Sequence, residues 1–176
     1  MFSKTTLRKS AKVLAILFVL LAAFIFMGCP MEEEDTGDLN GTWLFNSSPA
    51  YKVDTSAKTI EYSGYSGDGY TGEIVNSPNF KAGSGVLIIK FTGYVRAIYD
   101  SNWNVTGFDI DPAGTVGWHG AVYWRDLKKN SVKMADAYDE YFNHVIIEHF
   151  SNAQASFTMN NTGNYVDWSI IGSYTK

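Results

Sequence analysis

The sequence has little cysteine, histidine and proline for its length. Its 176 residues include one cysteine, three histidines and four prolines. A single cysteine excludes an intrachain disulfide, a thiolate zinc cluster and a CxxC redox pair, so stability has to come from packing and hydrogen bonds. Basic charge is also scarce, with 14 Lys and Arg against 18 Asp and Glu, which argues against a general nucleic-acid binder.

The first 28 residues differ in composition from the rest of the chain. They contain no acidic residue and four cations: Lys4, Arg8, Lys9 and Lys12. Residues 13–27 form an unbroken apolar run of 15 residues, shorter than the ~20 that a membrane-spanning helix needs. Cations followed by such a run are typical of an export signal, so we expect residues 1–28 to be a cleaved signal peptide. The remaining residues carry a net charge of −8.

Cys29 follows the apolar run directly. Residues 26–29, Phe-Met-Gly-Cys, resemble the bacterial lipobox, in which a small residue precedes a lipidated cysteine, although Phe26 stands where Leu is usual. The resemblance implies that Cys29 becomes the N-terminus and carries diacylglycerol and palmitate, with residues 29–38 as an acidic tether. We therefore expect a lipid-anchored protein of the cell envelope, with the outer membrane favoured over the inner one. The alternative is an incidental Cys29 and a signal that ends elsewhere.

Residues 39–176 read as one all-β domain. Short apolar stretches alternate with clusters of Gly, Asn and Ser, which predicts a sandwich or barrel. The expected strands are 39–45, 50–54, 58–63, 70–75, 85–92, 94–99, 116–125, 131–138 and 165–174, with a further candidate at 144–149. Alternation places Leu87, Ile89 and Phe91 on one face, and Trp118 and Trp124 on the face opposite His119. Such alternation is what a closed antiparallel barrel requires.

One segment reads as a helix. Residues 151–154, Ser-Asn-Ala-Gln, fit a capping box, in which Ser151 is the N-cap. Residues 160–163 form a turn signal after it. We therefore expect one short helix before the last strand.

Residues 39–43, Leu-Asn-Gly-Thr-Trp, resemble the Gly-x-Trp signature that opens lipocalin and other calycin barrels. The resemblance implies a lipocalin-like antiparallel barrel of eight to nine strands, in which Trp43 closes one end. The usual second signature is absent, and no arginine follows Arg125 to cover Trp43. Segments spread over most of the chain are similar to a family of treponemal (spirochaete) lipoproteins, which implies location and architecture only: residues 58–60, 74–78, 85–91, 121–127 and 174–176.

The sequence pattern brings no catalytic or metal-binding set together. His119 is expected to face solvent, and His144 and His149 are spaced so that they do not converge on a metal. Residues 100–106 resemble a calcium loop, but Val105 and Asp111 stand where its glycine and glutamate are needed. We therefore expect no enzyme activity, no metal and no cofactor.

Aromatic residues, 15% of the chain, are the main remaining feature. The leading hypothesis is a non-enzymatic, membrane-anchored lipoprotein with a monomeric soluble barrel that binds a small apolar or amphipathic ligand and no nucleic acid. The expected lining residues are Trp43, Tyr62, Phe91, Trp118, Trp124 and Trp168. The alternative is a surface-exposed adhesin or binder of glycans or host proteins, with a filled barrel. Its binding loops would be 63–72 and 100–114, with Tyr65, Tyr70 and Trp103 as contact residues.

Overall fold

A computed structural model describes residues 37–140 and 143–176, and they form a closed antiparallel β-barrel. The strands are β1 (Gly41–Phe45), β2 (Ser48–Asp54), β3 (Thr59–Ser63), β4 (Gly69–Ile74), β5 (Gly85–Tyr99), β6 (Val105–Ile110), β7 (His119–Lys128), β8 (Ser131–Asp136) and β9 (Tyr174–Thr175). Eight of them close the ring in the order β1-β2-β3-β4-β5-β7-β8-β9, and β6 pairs with β5 outside it. A short helix, α1 (Phe150–Ser156), precedes the last strand. The predicted all-β barrel of eight to nine strands with one helix is confirmed.

The expected signal peptide and Cys29 lie outside the described residues. Gly37, which the sequence assigns to the tether, is already buried against the barrel, where a Cβ would lie 2.2 Å from the Lys128 carbonyl oxygen. Among residues 37–140 and 143–176, no helix has the length and apolar character needed to cross a membrane.

The β2–β3 hairpin follows from the chemistry of its turn. The Asp54 carboxylate accepts the backbone N–H groups of Ser56 at 2.9 Å and Ala57 at 2.8 Å. Lys58 completes the turn with a φ of 54°. The hairpin that the polar turn predicts is therefore confirmed.

β5 is one strand of 15 residues, where the sequence predicted two strands separated at Gly93. Opposite this point the β4–β5 register shifts between Thr71 and Gly72, so a bulge bends the ladder without ending it. The first part of β5 pairs with β7, and the last part pairs with β6. The prediction of an irregular loop over 100–114 is thus wrong, since β6 lies within it.

The predicted last strand at 165–174 is also wrong. β9 is the two residues Tyr174–Thr175, which pair with Leu44 of β1 and with the start of β8. The residues before β9 run along the outside of the barrel, where Val166 and Trp168 pack against the wall. Packing against a sheet, rather than strand pairing, accounts for the apolar positions in this segment.

A second apolar layer covers the outer face of the barrel wall. Ala153 of α1 and Phe157, the residue that follows α1, pack on the outward-facing Ile88 and Tyr123. Because α1 begins at Phe150, Ser151 lies inside the helix and His149 is the N-cap, so the predicted capping box is wrong.

His119 is buried under this layer, and the expectation that it faces solvent is wrong. Its Nδ1 lies 3.3 Å from the Ile147 carbonyl oxygen and 3.2 Å from that of Glu148. The candidate strand at 144–149 contributes two isolated bridges instead of a strand, from His144 to Tyr138 and from Ile147 to His119.

The barrel interior is filled by inward-facing side chains. Leu87, Ile89 and Phe91 point inward and Ile88 points outward, as the alternation predicts. Trp43 is fully buried, and Lys176 Nζ lies 4.4 Å from the centre of its ring. Lys176 thus supplies a cation over Trp43, where the sequence offers no arginine.

Candidate functional site

Four tyrosines form a row across neighbouring strands inside the barrel. They come from β2, β3, β4 and β5 and lie directly opposite one another in the strand register: Tyr51, Tyr62, Tyr70 and Tyr94. Successive ring centroids are 4.9, 5.3 and 6.5 Å apart. Cross-strand aromatic pairs of this kind stabilise a sheet, and here they bring four hydroxyl groups to one side of the interior.

Asp136 of β8 is a buried carboxylate that faces the tyrosine row. Its side chain points inward, in the same alternation as Met134 and Val132, which lie two and four residues earlier and also face the core, and the residue is only 3% exposed. Tyr70 donates its hydroxyl to Oδ1 at 2.5 Å, and His144 Nε2 lies 3.2 Å from Oδ2. Two charge-assisted hydrogen bonds offset the loss of hydration of this carboxylate.

His144 is held between Asp136 and Tyr94. Its Nδ1 is hydrogen-bonded to the Tyr94 hydroxyl. The Tyr138 ring stacks on the imidazole, with centroids 4.8 Å apart. An isolated bridge joins Tyr138 to His144, and beside it Asn143 donates its backbone N–H to the Asp139 carboxylate at 2.9 Å. The result is a hydrogen-bonded chain that runs from Tyr70 through Asp136 and His144 to Tyr94.

Burial and nearby carboxylates raise the pKa values of the tyrosines around this chain. Burial and then Asp136 raise the pKa of Tyr70 well above its usual value. Burial, followed by Asp136 and Asp68, raises the pKa of Tyr94 to about 12. Burial, followed by Asp136 and, among other groups, Asp68, also raises the pKa of Tyr138. These phenols therefore keep their protons at neutral pH and act as hydrogen-bond donors.

A pocket of about 520 Å³ lies over the Asp136–His144 pair at one end of the barrel. We call it the mouth pocket; its main lining residues are Asp68, Tyr94, Arg96, Tyr99, Asp109, Trp118, Tyr138, Asn143 and His144. Part of its wall is the β5–β6 hairpin, in which Arg96 and Asp109 form an ion pair at 3.2 Å. The β5–β6 register shifts between Ile98 and Tyr99, and a bulge of this kind can redirect a side chain such as Tyr99 toward a site.

A larger cavity of about 810 Å³ lies on the outer wall beside Trp168. Arg125 lies over the Trp168 ring, 4.6 Å from its centroid, and forms an ion pair with Asp126 at 3.5 Å. We regard the mouth pocket as the better candidate because it adjoins a buried network of carboxylate, imidazole and phenol groups.

The six residues that the sequence predicts to line a ligand cavity lie in three different places in the structure. Trp43, Tyr62, Phe91 and Trp124 contribute to the barrel interior. Trp118 precedes β7 and lies at the rim of the mouth pocket, 36% exposed, so its predicted place inside the barrel is wrong. Trp168 packs outside the barrel, so its predicted place in the barrel interior is also wrong.

Sequence reasoning missed Asp136 and His144. The inward alternation of Val132 and Met134 could have predicted that Asp136 faces the core. The partner His144 had no such signal, because it is not part of a strand. Tyr70, proposed from the sequence as an exposed contact in the 63–72 loop, is buried in β4, and that prediction is wrong.

The outer part of the β5–β6 hairpin carries a set of exposed apolar side chains. Each is at least 41% exposed, and Trp103 at the tip is 82% exposed: Ile98, Tyr99, Trp103, Val105, Phe108 and Ile110. Exposed apolar patches on a projecting element are typical of interaction surfaces.

The fold and this site together define a closed antiparallel barrel with an aromatic and polar pocket at one end. Comparisons with protein-family models, curated proteins and solved structures found no match for this chain. Within the described part of the chain, no three His, Cys, Asp or Glu side chains are arranged to hold a metal ion.

Proposed function

We propose that the protein is a bacterial membrane-anchored lipoprotein, non-enzymatic, whose barrel binds a small amphipathic ligand in the mouth pocket. The mouth pocket carries this proposal, because its volume of about 520 Å³ and its mixture of aromatic and polar groups suit a small ligand. The barrel interior is filled by its own side chains. We therefore assign the ligand site to the mouth pocket at the end of the barrel and not to the core.

The lipid anchor rests on the sequence of residues 1–29, and the barrel geometry is compatible with it. Leu39 donates its backbone N–H to Phe80 at 3.0 Å, and Gly37 packs on Lys128, so the chain enters the barrel at the end where β5 begins. Tyr94 lies nine residues further along β5, a distance of ~30 Å in an extended strand. The mouth pocket is therefore at the far end from the chain entry.

Replacement of Cys29 tests the anchor. We expect Cys29→Ser to move the full chain from the membrane fraction to the soluble fraction and to abolish labelling with palmitate. Met31→Ser, a change close by that removes no thiol, serves as the control and should leave both readouts unchanged. Continued labelling of the Cys29→Ser protein would contradict the anchor. Protease treatment of intact cells then decides which leaflet of the outer membrane holds it.

Native mass spectrometry of the full chain in mild detergent tests the ligand site. We expect a co-purifying small molecule that is lost in Trp118→Ala, at the rim of the mouth pocket. Trp103→Ala is the matched control, because it removes an exposed tryptophan that does not line this pocket. A bound molecule that survives Trp118→Ala unchanged, or a chain that never carries one, would count against the proposal.

A second candidate function is a surface-exposed interaction protein that binds glycans or host proteins. The exposed apolar side chains of the β5–β6 hairpin favour it. A glycan array or a host-protein pulldown should then lose signal in the double variant Trp103→Ser and Ile110→Ser. Tyr65→Ser, on the neighbouring loop, is the control, because it removes an exposed aromatic side chain and leaves the β5–β6 hairpin unchanged. Equal signal from all variants would eliminate this candidate.

A further inference from the structure

The mouth pocket has an excess of negative charge. Arg96 is paired with Asp109, and His144 is paired with Asp136. Asp68 lines the same pocket, and within residues 37–140 and 143–176 its carboxylate has no ion-pair partner. Because Asp136 lies beneath His144, the pocket stays net negative whether the imidazole is neutral or protonated.

The loop before β4 holds Asp68 over the tyrosines. Gly64 donates its backbone N–H to the Asp68 carbonyl at 2.7 Å, and Gly67 has a φ of 83°. A Cβ on Gly64 would lie 2.3 Å from the Asp68 carboxylate, so the glycine makes room for this side-chain position. Asp68, Tyr94 and Tyr138 line the same pocket, and the Asp68 charge contributes to the raised pKa values of both tyrosines.

Aromatic rings surround the same space. Tyr94, Tyr99, Trp118 and Tyr138 all line the mouth pocket. A cation near the face of such rings is attracted by their quadrupoles, by ~0.5–2 kcal/mol for each well-placed ring. An anion in the same place would be repelled by the rings and by the unpaired carboxylate.

We propose that the mouth pocket binds the ammonium group of a small amphipathic amine, with Asp68 as the counter-ion and the surrounding rings as the apolar wall. This inference rests on the proposed ligand-binding function and names the chemical class of the ligand for that same pocket. The apolar part of the amine would pack toward Trp118 and Tyr99, at the solvent side of the pocket, where both side chains are partly exposed.

Three probes of equal chain length test this inference by calorimetric titration of the full chain in detergent: hexylamine, 1-hexanol and hexanoate. We expect hexylamine to bind about tenfold or more tightly than 1-hexanol, and hexanoate to bind most weakly. Added salt should weaken the binding of hexylamine more than that of 1-hexanol.

Three variants identify the residues responsible. Asp68→Asn should weaken hexylamine binding by about tenfold and leave 1-hexanol binding unchanged. Glu73→Gln, which removes one negative charge from the exposed face of β4, is the matched control and should change the affinity by less than about twofold. Trp118→Leu keeps the charge and removes a ring, so it tests the aromatic wall independently of any effect of Asp68→Asn on folding.

The possible outcomes separate the two proposals. Hexylamine preference that depends on Asp68 supports the amine inference. Equal affinity for hexylamine and 1-hexanol overturns it but leaves the ligand-binding function intact. No binding of any of the three probes overturns both.

Discussion

Asp136 is the residue on which the polar network of the barrel depends. It accepts the Tyr70 hydroxyl and contacts His144. Asp136 and Tyr70 are buried, and His144 is partly buried in the lining of the mouth pocket. Removing the carboxylate would leave the buried Tyr70 hydroxyl without an acceptor, and such a group costs ~1–3 kcal/mol. It would also remove the partner of the partly buried His144 Nε2.

We therefore expect Asp136→Ala to lower the free energy of unfolding by about 1–3 kcal/mol at neutral pH. Urea denaturation followed by tryptophan fluorescence measures this change. Glu73→Gln on the outer face of β4 should stay within about 0.5 kcal/mol of the parent protein. A change in Asp136→Ala as small as in Glu73→Gln would show that the network contributes little to stability.

Gly85 is the residue that allows Trp124 to fill one end of the barrel. A Cβ on Gly85 would lie 2.1 Å from the Trp124 ring, which cannot give way because it is fully buried. We expect Gly85→Ala to destabilise the fold by about 1–3 kcal/mol, with loss of native Trp124 packing.

Gly83→Ala is the matched control for this substitution, since a Cβ there meets no atom within 4 Å. Thermal denaturation of the two variants, with the near-ultraviolet circular dichroism of the folded state, compares them directly. Equal melting temperatures would mean that the ring moves aside at no cost.

At the level of single residues, the sequence predicted interior positions better than it predicted the site. Alternation along a strand is a local property, and it correctly placed Phe91 and Trp124 in the core. The Asp136–His144 pair depends on the isolated bridge between Tyr138 and His144, which places the histidine beside the barrel interior. No local pattern encodes that approach.

At the level of elements, the outer layer around α1 is a separate source of stability. Phe157 is 1% exposed and packs on the wall near Tyr165, whereas Phe150 at the start of α1 is 38% exposed. We expect Phe157→Ala to cost about 3–5 kcal/mol and Phe150→Ala to cost clearly less. Urea denaturation measures both, and amide hydrogen exchange shows whether the α1 layer opens before the barrel does.

Similar losses in the two variants would indicate that burial does not decide the contribution of this layer.

The outer layer also explains why the sequence predicts a strand over residues 165–174. Its apolar residues pack on a sheet from outside, as those of a strand do from within, and sequence alone cannot distinguish the two arrangements. The hairpin strand β6 was missed because its flanking polar turn resembles a long loop.

At the level of the whole molecule, the many buried tyrosines make stability depend on alkaline pH. The pKa values of Tyr94 and Tyr174 are raised to about 12, mainly by burial and then by Asp136. A phenol in the unfolded chain loses its proton near pH 10, so the folded state binds more protons than the unfolded state between about pH 10 and pH 12. The free energy of unfolding should therefore fall across this window.

Ultraviolet absorbance of tyrosinate and far-ultraviolet circular dichroism, recorded together against pH, measure this effect. We expect the buried tyrosines to ionise in the same transition in which the secondary structure is lost. Ionisation of all eleven tyrosines with the native spectrum intact would contradict the prediction.

The two-residue strand β9 determines how the ring is completed. Its Thr175 pairs with Leu44 of β1. This seam between the first and last strands forms only after almost the whole barrel sequence is available. Bringing such distant segments together is entropically costly, and the seam contributes few ladder hydrogen bonds in return. Closure is therefore expected late in folding, and the β1–β9–β8 seam is where the finished barrel would open first.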